Sequence, residues 1–65
     1  MLSNLECSIL KELDRQNIKA DVISIVMDKL DTDDKKNKFL SFMIDNRNVL
    51  LSLNDIFYEL KIIIK

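Results

Sequence analysis

Residues 13–18 read LDRQNI and residues 44–49 read IDNRNV, so one pattern occurs twice: apolar, aspartate, two variable residues, asparagine, branched apolar. The chain contains no glycine, which leaves asparagine as the residue best suited to the left-handed backbone that commonly ends a helix. With Asn17 and Asn48 in that position, the flanking apolar residues occupy the places that touch in a Schellman cap. The pattern predicts two helices that end at matching points, and hence an all-α fold of two helical hairpins in series.

Capping signals and helical apolar spacing place four helices around these two stops. Ser3 and Glu6 match a capping box at the start of helix 1, which we expect over residues 5–16. Helix 2 is expected to begin at residue 19 or 20, and the acidic segment 31–34 supplies the N-cap and first turn of helix 3. The residues expected to be buried are Leu5, Ile9, Leu10 and Leu13 in helix 1; Val22, Ile23, Val26, Met27 and Leu30 in helix 2; Phe39, Leu40, Met43 and Ile44 in helix 3; and Leu53, Ile56, Phe57, Leu60, Ile63 and Ile64 in helix 4.

The start of helix 4 has two interpretations. Ser52 and Asp55 form an aspartate version of the capping box, and Leu51 and Ile56 then occupy the hydrophobic-staple positions on either side of it. The apolar repeat of helix 4 also continues further back, which favours a start near Asn48.

Length and composition predict one compact domain, residues 1–65, in a compact four-helix unit. A chain of this size buries only about 60% of the surface that its unfolded state exposes, and small domains commonly add a disulfide, a metal or a second subunit. The single Cys7 excludes an internal disulfide, and the absence of histidine argues against a zinc site. We therefore expect self-association as a homodimer or a larger complex, with no cofactor.

Charge and cysteine content restrict the cellular setting. The net charge of −1 gives no electrostatic reason to expect a membrane or nucleic-acid partner. One unpaired cysteine is typical of a reducing compartment, so we expect a cytoplasmic protein. A composition rich in Ile, Lys, Asn and Asp without glycine suggests an AT-biased genome, such as that of a phage, a plasmid, a DNA virus or a low-GC bacterium.

The motifs associated with catalysis or metal binding are incomplete. The segment that begins at Asp31 resembles the start of a calcium-binding EF-hand loop, yet Lys36 and Phe42 stand where that loop requires glycine and glutamate. Cys7 lacks a histidine to activate its thiol. We expect a protein that is not an enzyme, with no catalytic or metal-ligating residues.

The only basic run is residues 35–38, KKNK, at the start of helix 3. Lys35, Lys36 and Lys38 could follow a nucleic-acid backbone, as in a small dimeric nucleic-acid-binding regulator. The second interpretation is that they form the solvated face of an amphipathic helix, where their positive charges offset the negative charges of the preceding aspartates. The second interpretation is favoured, and nucleic-acid binding is kept as the alternative function.

A second apolar stripe on helix 4 is not explained by a simple core. Leu51, Tyr58 and Ile62 fall on the side away from Phe57 and Leu60. Tyrosine is enriched at protein interfaces because it combines an apolar ring with a polar hydroxyl.

A further apolar residue, Ile25, lies off the buried face of helix 2. We therefore predict a small regulatory or accessory protein-binding module that contacts another protein, or itself, through Leu51, Tyr58, Ile62 and Ile25.

Overall fold

A computed structural model describes residues 2–65 of the chain and confirms the all-helical prediction. No strand occurs between residues 2 and 65, and the elements are α1 (Asn4–Arg15), α2 (Ala20–Lys29), α3 (Asp33–Asp45) and α4 (Leu53–Ile64). The Cα radius of gyration is 10.6 Å, close to the roughly 11 Å that a compact domain of this length requires. The four helices thus pack into one compact unit.

Both predicted capping boxes are present. The Glu6 N–H donates to the Ser3 hydroxyl, and the Ser3 N–H donates to the Glu6 carboxylate, each over 3.1 Å. Ser52 and Asp55 make the same reciprocal pair over 2.9 and 3.1 Å. Helix α4 therefore begins after Ser52, and the alternative start near Asn48 is wrong.

The predicted Schellman cap at the end of α1 is confirmed. Asn17 has φ of 59°, in the left-handed region. The Ile18 N–H donates to the Leu13 carbonyl over 3.2 Å, and the Asn17 N–H donates to the Asp14 carbonyl over 2.9 Å. These two bonds satisfy carbonyl groups that the end of a helix leaves without partners.

The matching prediction for Asn48 is wrong. Asn17 is the only residue between 2 and 65 with positive φ, so Asn48 is not a left-handed cap. Helix α3 ends at Asp45, and the Asn46 side-chain amide donates to the Phe42 carbonyl over 2.8 Å. The Val49 N–H then donates to the Asn46 carbonyl over 3.0 Å. The Asn46 backbone N–H donates to the same Phe42 carbonyl over 3.1 Å, and the Arg47 N–H donates to the Ile44 carbonyl over 3.2 Å. The chain thus leaves α3 through turn hydrogen bonds that require no left-handed residue.

Helix α3 lies at the centre of the packing. It contacts α1 most extensively and α4 next, and α2 packs against α4. The contact between α3 and α4 fits the second expected hairpin, whereas α1 and α2 are not among the most closely packed pairs; the arrangement as two hairpins in series stays a prediction. The buried apolar core consists of Ile9, Leu13, Val26, Leu30, Phe39, Met43, Leu51, Ile56 and Leu60.

Most expected core residues are buried or partly buried, with three exceptions. Ile44, Leu53 and Ile64 are exposed. Ile44 was expected to pack beneath the second Schellman cap, and no such cap forms. Leu53 and Ile64 lie in the first and last turns of α4, where fewer neighbouring helices are available to cover them.

Candidate functional site

The side of α3 that faces α1 is closed by an ion pair that the sequence did not predict, between the buried Glu12 and the partly exposed Arg47. The Arg47 guanidinium donates to both carboxylate oxygens of Glu12, over 3.1 Å from Nε and 2.6 Å from Nη2. The Glu12 side chain is buried, and Arg15 lies 3.5 Å from it. Because Arg47 donates these hydrogen bonds and adds a nearby positive charge, the pKa of Glu12 is held below its ordinary value of 4.5.

A second polar contact joins α1 to the loop between α3 and α4. The buried Gln16 side chain donates to the Val49 carbonyl over 2.9 Å and, at longer range, to the Asn46 carbonyl over 3.4 Å. Its oxygen accepts from the Leu51 N–H over 3.1 Å. Every buried side-chain polar atom of residues 2–65 has a hydrogen-bond partner. The closed side therefore offers no free buried polar group to a ligand.

The other side of α3 opens into a shallow groove against α4. Two adjoining depressions of about 540 and 300 Å³ form it and share Phe42, Asn46 and Glu59. We call this feature the α3–α4 groove; its lining residues are Lys38, Ser41, Phe42, Asp45, Asn46, Val49, Leu51, Asp55, Tyr58, Glu59, Ile62 and Ile63. Phe42 and Ile63 are partly buried against the core, so they provide an apolar floor.

Two of the predicted interface residues lie on the rim of this groove. Tyr58 is 68% exposed and Ile62 is 51% exposed, and both line the groove. The α4 backbone positions them there because Ile56 and Leu60 point into the core from the opposite side of the helix. Their exposure agrees with the predicted location, while their function stays a prediction.

The other two predicted interface residues differ from this pair: Leu51 lines the groove from a buried position, and Ile25 lies on another helix. Leu51 is only 8% exposed and belongs to the core, so its placement in an exposed stripe with Tyr58 and Ile62 is wrong. Its hydrophobic-staple position, before the Ser52 cap, explains why it is buried. Ile25 is 46% exposed on α2 and does not line the α3–α4 groove. The structure thus brings together Tyr58 and Ile62 but not Ile25.

The groove has an acidic character. Asp45, Asp55 and Glu59 line it, against the single Lys38. The Lys38 ammonium lies 3.1 Å from the Asp34 carboxylate, so its charge is already partly offset. A partner segment with basic groups beside apolar ones would complement this surface.

The lysines of the nucleic-acid alternative all lie beside carboxylates. Lys35 is 2.7 Å from Asp31 and Lys38 is 3.1 Å from Asp34, each one helical turn away. The Lys36 ammonium lies 3.8 Å from the Glu6 carboxylate. These surface pairs are weak individually, but they leave no concentrated positive field at the start of α3.

The remaining chemical groups do not assemble around the groove. Cys7 is a free, exposed thiol on α1. Within residues 2–65, no three His, Cys, Asp or Glu side chains lie close enough together to hold a metal ion. None of the helices in this part of the chain has the length and apolar character needed to cross a bilayer.

Comparison of the chain with protein-family models, with curated proteins and with solved structures gives no match. The functional argument therefore rests on the surface itself: a partly apolar groove, an amphipathic tyrosine on its rim and several carboxylates.

Proposed function

We propose that this protein is a small, non-enzymatic protein-binding module of regulatory or accessory type, and that it contacts its partner through the α3–α4 groove and the exposed rim of α4. The observation that carries the proposal is the position of Tyr58 and Ile62. Both are more than half exposed beside an open groove.

The lining of the α3–α4 groove favours a helical partner segment. An amphipathic helix places apolar side chains along one face at intervals of three and four residues, and such a face fits an elongated apolar groove. Phe42 and Ile63 would contact its apolar residues from the floor, and Tyr58 and Ile62 from the rim. Asp45 and Glu59 would favour lysine or arginine at its edge.

The cellular setting is part of the same proposal. A free, exposed thiol at Cys7 is best maintained in a reducing compartment, which supports a cytoplasmic location. An accessory role, such as that of a phage or viral protein, is suggested only by the AT-biased composition.

Charge introduced at the rim tests the proposal. Tyr58→Glu places a carboxylate beside Glu59 and Asp55 at an exposed site, so we expect helical content to be kept and partner binding or self-association to be lost. Circular dichroism, light scattering and quantified capture of partners from the source cells measure the three properties together.

Leu50→Glu is the matched control because Leu50 is 86% exposed and does not line the groove. It should keep both folding and association. Ile25→Glu tests the separate surface on α2. A folded Tyr58→Glu protein with unchanged mass and unchanged partner capture would contradict the proposal, and loss of binding only in Ile25→Glu would move the surface to α2.

A further inference from the structure

One side of α4 carries four exposed residues at symmetric spacings along the helix. Asp55, Tyr58, Ile62 and Lys65 are spaced by three, four and three residues, so they lie on one side of the helix. All four are exposed. We call them the α4 stripe: an acidic residue in the first turn, an aromatic and an aliphatic residue in the middle, and a basic residue at the C-cap.

Two copies of the α4 stripe are complementary to each other when the two helices run antiparallel. When two copies of α4 lie antiparallel and cross at the level of Leu60, Asp55 of one copy faces Lys65 of the other. Tyr58 of one copy then faces Ile62 of the other. Each pair occurs twice because the arrangement has a twofold axis. A parallel arrangement would instead place like charges opposite each other.

The two charges of the stripe are available for such contacts. Neither Asp55 nor Lys65 takes part in a salt bridge within residues 2–65. Asp55 accepts the Ser52 N–H with one carboxylate oxygen, over 2.9 Å, so its second oxygen can accept a lysine ammonium. Val49 lines the groove next to Asp55 and Tyr58 and is exposed, which adds apolar area at the end of the stripe.

We infer that the α4 stripe is the contact surface of a symmetric homodimer in which two α4 helices pack antiparallel. This inference rests on the proposed function and identifies the partner segment as α4 of a second copy. Twofold dimers with the same patch on both subunits are the commonest oligomers. A second subunit also provides the added burial that a domain of this size commonly needs.

The length of the contact sets the expected strength. Helix α4 has 12 residues, about 18 Å at the α-helical rise, so the buried area lies at the lower end of the range for specific complexes. The dimer should therefore dissociate at micromolar rather than nanomolar concentration.

Charge reversal at the two ends of the stripe tests the arrangement in the pure protein. Lys65→Glu and Asp55→Lys should each raise the dimer dissociation constant by about tenfold, because two symmetric ion pairs become repulsive. An equimolar mixture of the two variants, and the double variant that carries both changes, should return to near the wild-type value, because opposite charges face each other again. Sedimentation equilibrium measures all four constants.

Two controls keep the test independent of folding. Lys11→Glu is the matched control: Lys11 is exposed on α1 and does not line the α3–α4 groove, so the same charge change there should leave the constant within about twofold of wild type, apart from a small long-range effect. Asp55→Lys weakens the Ser52 cap, and circular dichroism of each variant shows whether the helices are retained. Lys65→Glu leaves the cap intact and is decisive by itself if Asp55→Lys unfolds.

The outcomes separate the inference from the proposed function. A wild-type protein that stays monomeric up to millimolar concentration overturns the homodimer. Equal weakening by Lys65→Glu and Lys11→Glu, or no recovery in the mixture of folded variants, overturns the antiparallel stripe. In either case, if Tyr58→Glu abolishes capture of a protein partner other than a second copy of this chain, the proposed function stands without this inference. If Tyr58→Glu changes neither association nor partner capture, both are overturned.

Discussion

The two sides of α3 differ in whether their polar groups are hydrogen-bonded and their apolar groups buried within the subunit. Toward α1, Glu12 pairs with Arg47 and Gln16 holds the loop that follows α3. Toward α4, a groove remains open, and Tyr58 and Ile62 are exposed along its rim. On one side of α3, the buried polar groups are all hydrogen-bonded within the subunit. On the other side, apolar side chains remain exposed.

This difference separates stability from association. Substitutions on the closed side remove contacts that exist within one subunit, so they should lower the melting temperature and leave the binding surface in place. Substitutions on the open rim remove little from the folded subunit, so they should change association at nearly constant melting temperature. The predictions below test this separation, beginning with the largest expected effect.

Gln16→Ala should be the most destabilising of these changes. It leaves the buried Leu51 N–H without its acceptor and the Val49 carbonyl without its donor, at a cost of about 1–3 kcal/mol in the free energy of unfolding. For a domain of this size, each kcal/mol corresponds to a fall of about 4–8 °C in melting temperature. Asn37→Ala, at an exposed amide on α3, is the control and should not lower the melting temperature. Equal melting of the two variants would show that the Gln16 contacts do not hold the loop.

The two asparagine positions should respond differently to the same change. Asn17→Val forces a branched residue into left-handed backbone and should cost about 1–2 kcal/mol. Asn48→Val should cost little, because Asn48 does not have positive φ. Asn17→Gly should be neutral or slightly stabilising. Thermal melts of the three variants measure the differences, and equal losses for the two valine variants would contradict the assignment of a single left-handed cap.

The Glu12–Arg47 pair should make stability depend on pH in the acid range. Because the pKa of Glu12 in the folded protein is below its ordinary value of 4.5, its contribution is fully present above that value and is lost as the pH falls through the folded pKa. Glu6 and Asp31 also have lowered pKa values, through hydrogen bonds from Ser3 and Lys35, and they contribute in the same direction.

Glu12→Gln isolates the contribution of the Glu12–Arg47 pair. The difference in melting temperature between the wild-type protein and this variant should be largest near neutral pH and should shrink as the pH falls below about 4.5. Thermal melts across the acid range measure it. A difference that stays constant with pH would contradict the role assigned to the ionised Glu12.

The smallest expected effect concerns nucleic acid. We expect no measurable binding of the wild-type protein to duplex DNA at physiological salt, because Lys35, Lys36 and Lys38 lie beside carboxylates. Fluorescence anisotropy measures this directly. A tight, salt-dependent complex that is abolished by reversing the three lysine charges would contradict the proposed function and favour the alternative.

Local signals in the sequence predicted much of the fold. The Ser3 and Ser52 capping boxes and the Asn17 cap depend on residues within a few positions of each other, and all three are confirmed. The Asn48 prediction failed because the chain leaves α3 after Asp45 through turn hydrogen bonds that need no positive φ. A second determinant of that loop is Gln16, far away in sequence, and a local pattern cannot show such a contact.

The surface was predicted only in part. Tyr58 and Ile62 follow from helical periodicity, since the opposite side of α4 is strongly apolar. Leu51 fitted two patterns, the stripe and the staple, and the loop geometry buries it. The sequence contained one clue to the polar contacts of the closed side that the sequence analysis missed. Glu12 and Gln16 lie on the same helical face as Ile9 and Leu13. Polar residues on an apolar face of a helix commonly have buried partners.

The central claim is that the open rim of α4, rather than the closed side of α3, is where the protein meets its partner. Backbone amide chemical shifts of the isotopically labelled wild-type protein, recorded from micromolar to millimolar concentration, test it most directly. We predict concentration-dependent shifts at Asp55, Tyr58, Ile62 and Lys65, with little change at Glu12 and Gln16. Shifts that centre on α1 or on Ile25 would contradict the account, and shifts that do not change with concentration at any residue would overturn the homodimer.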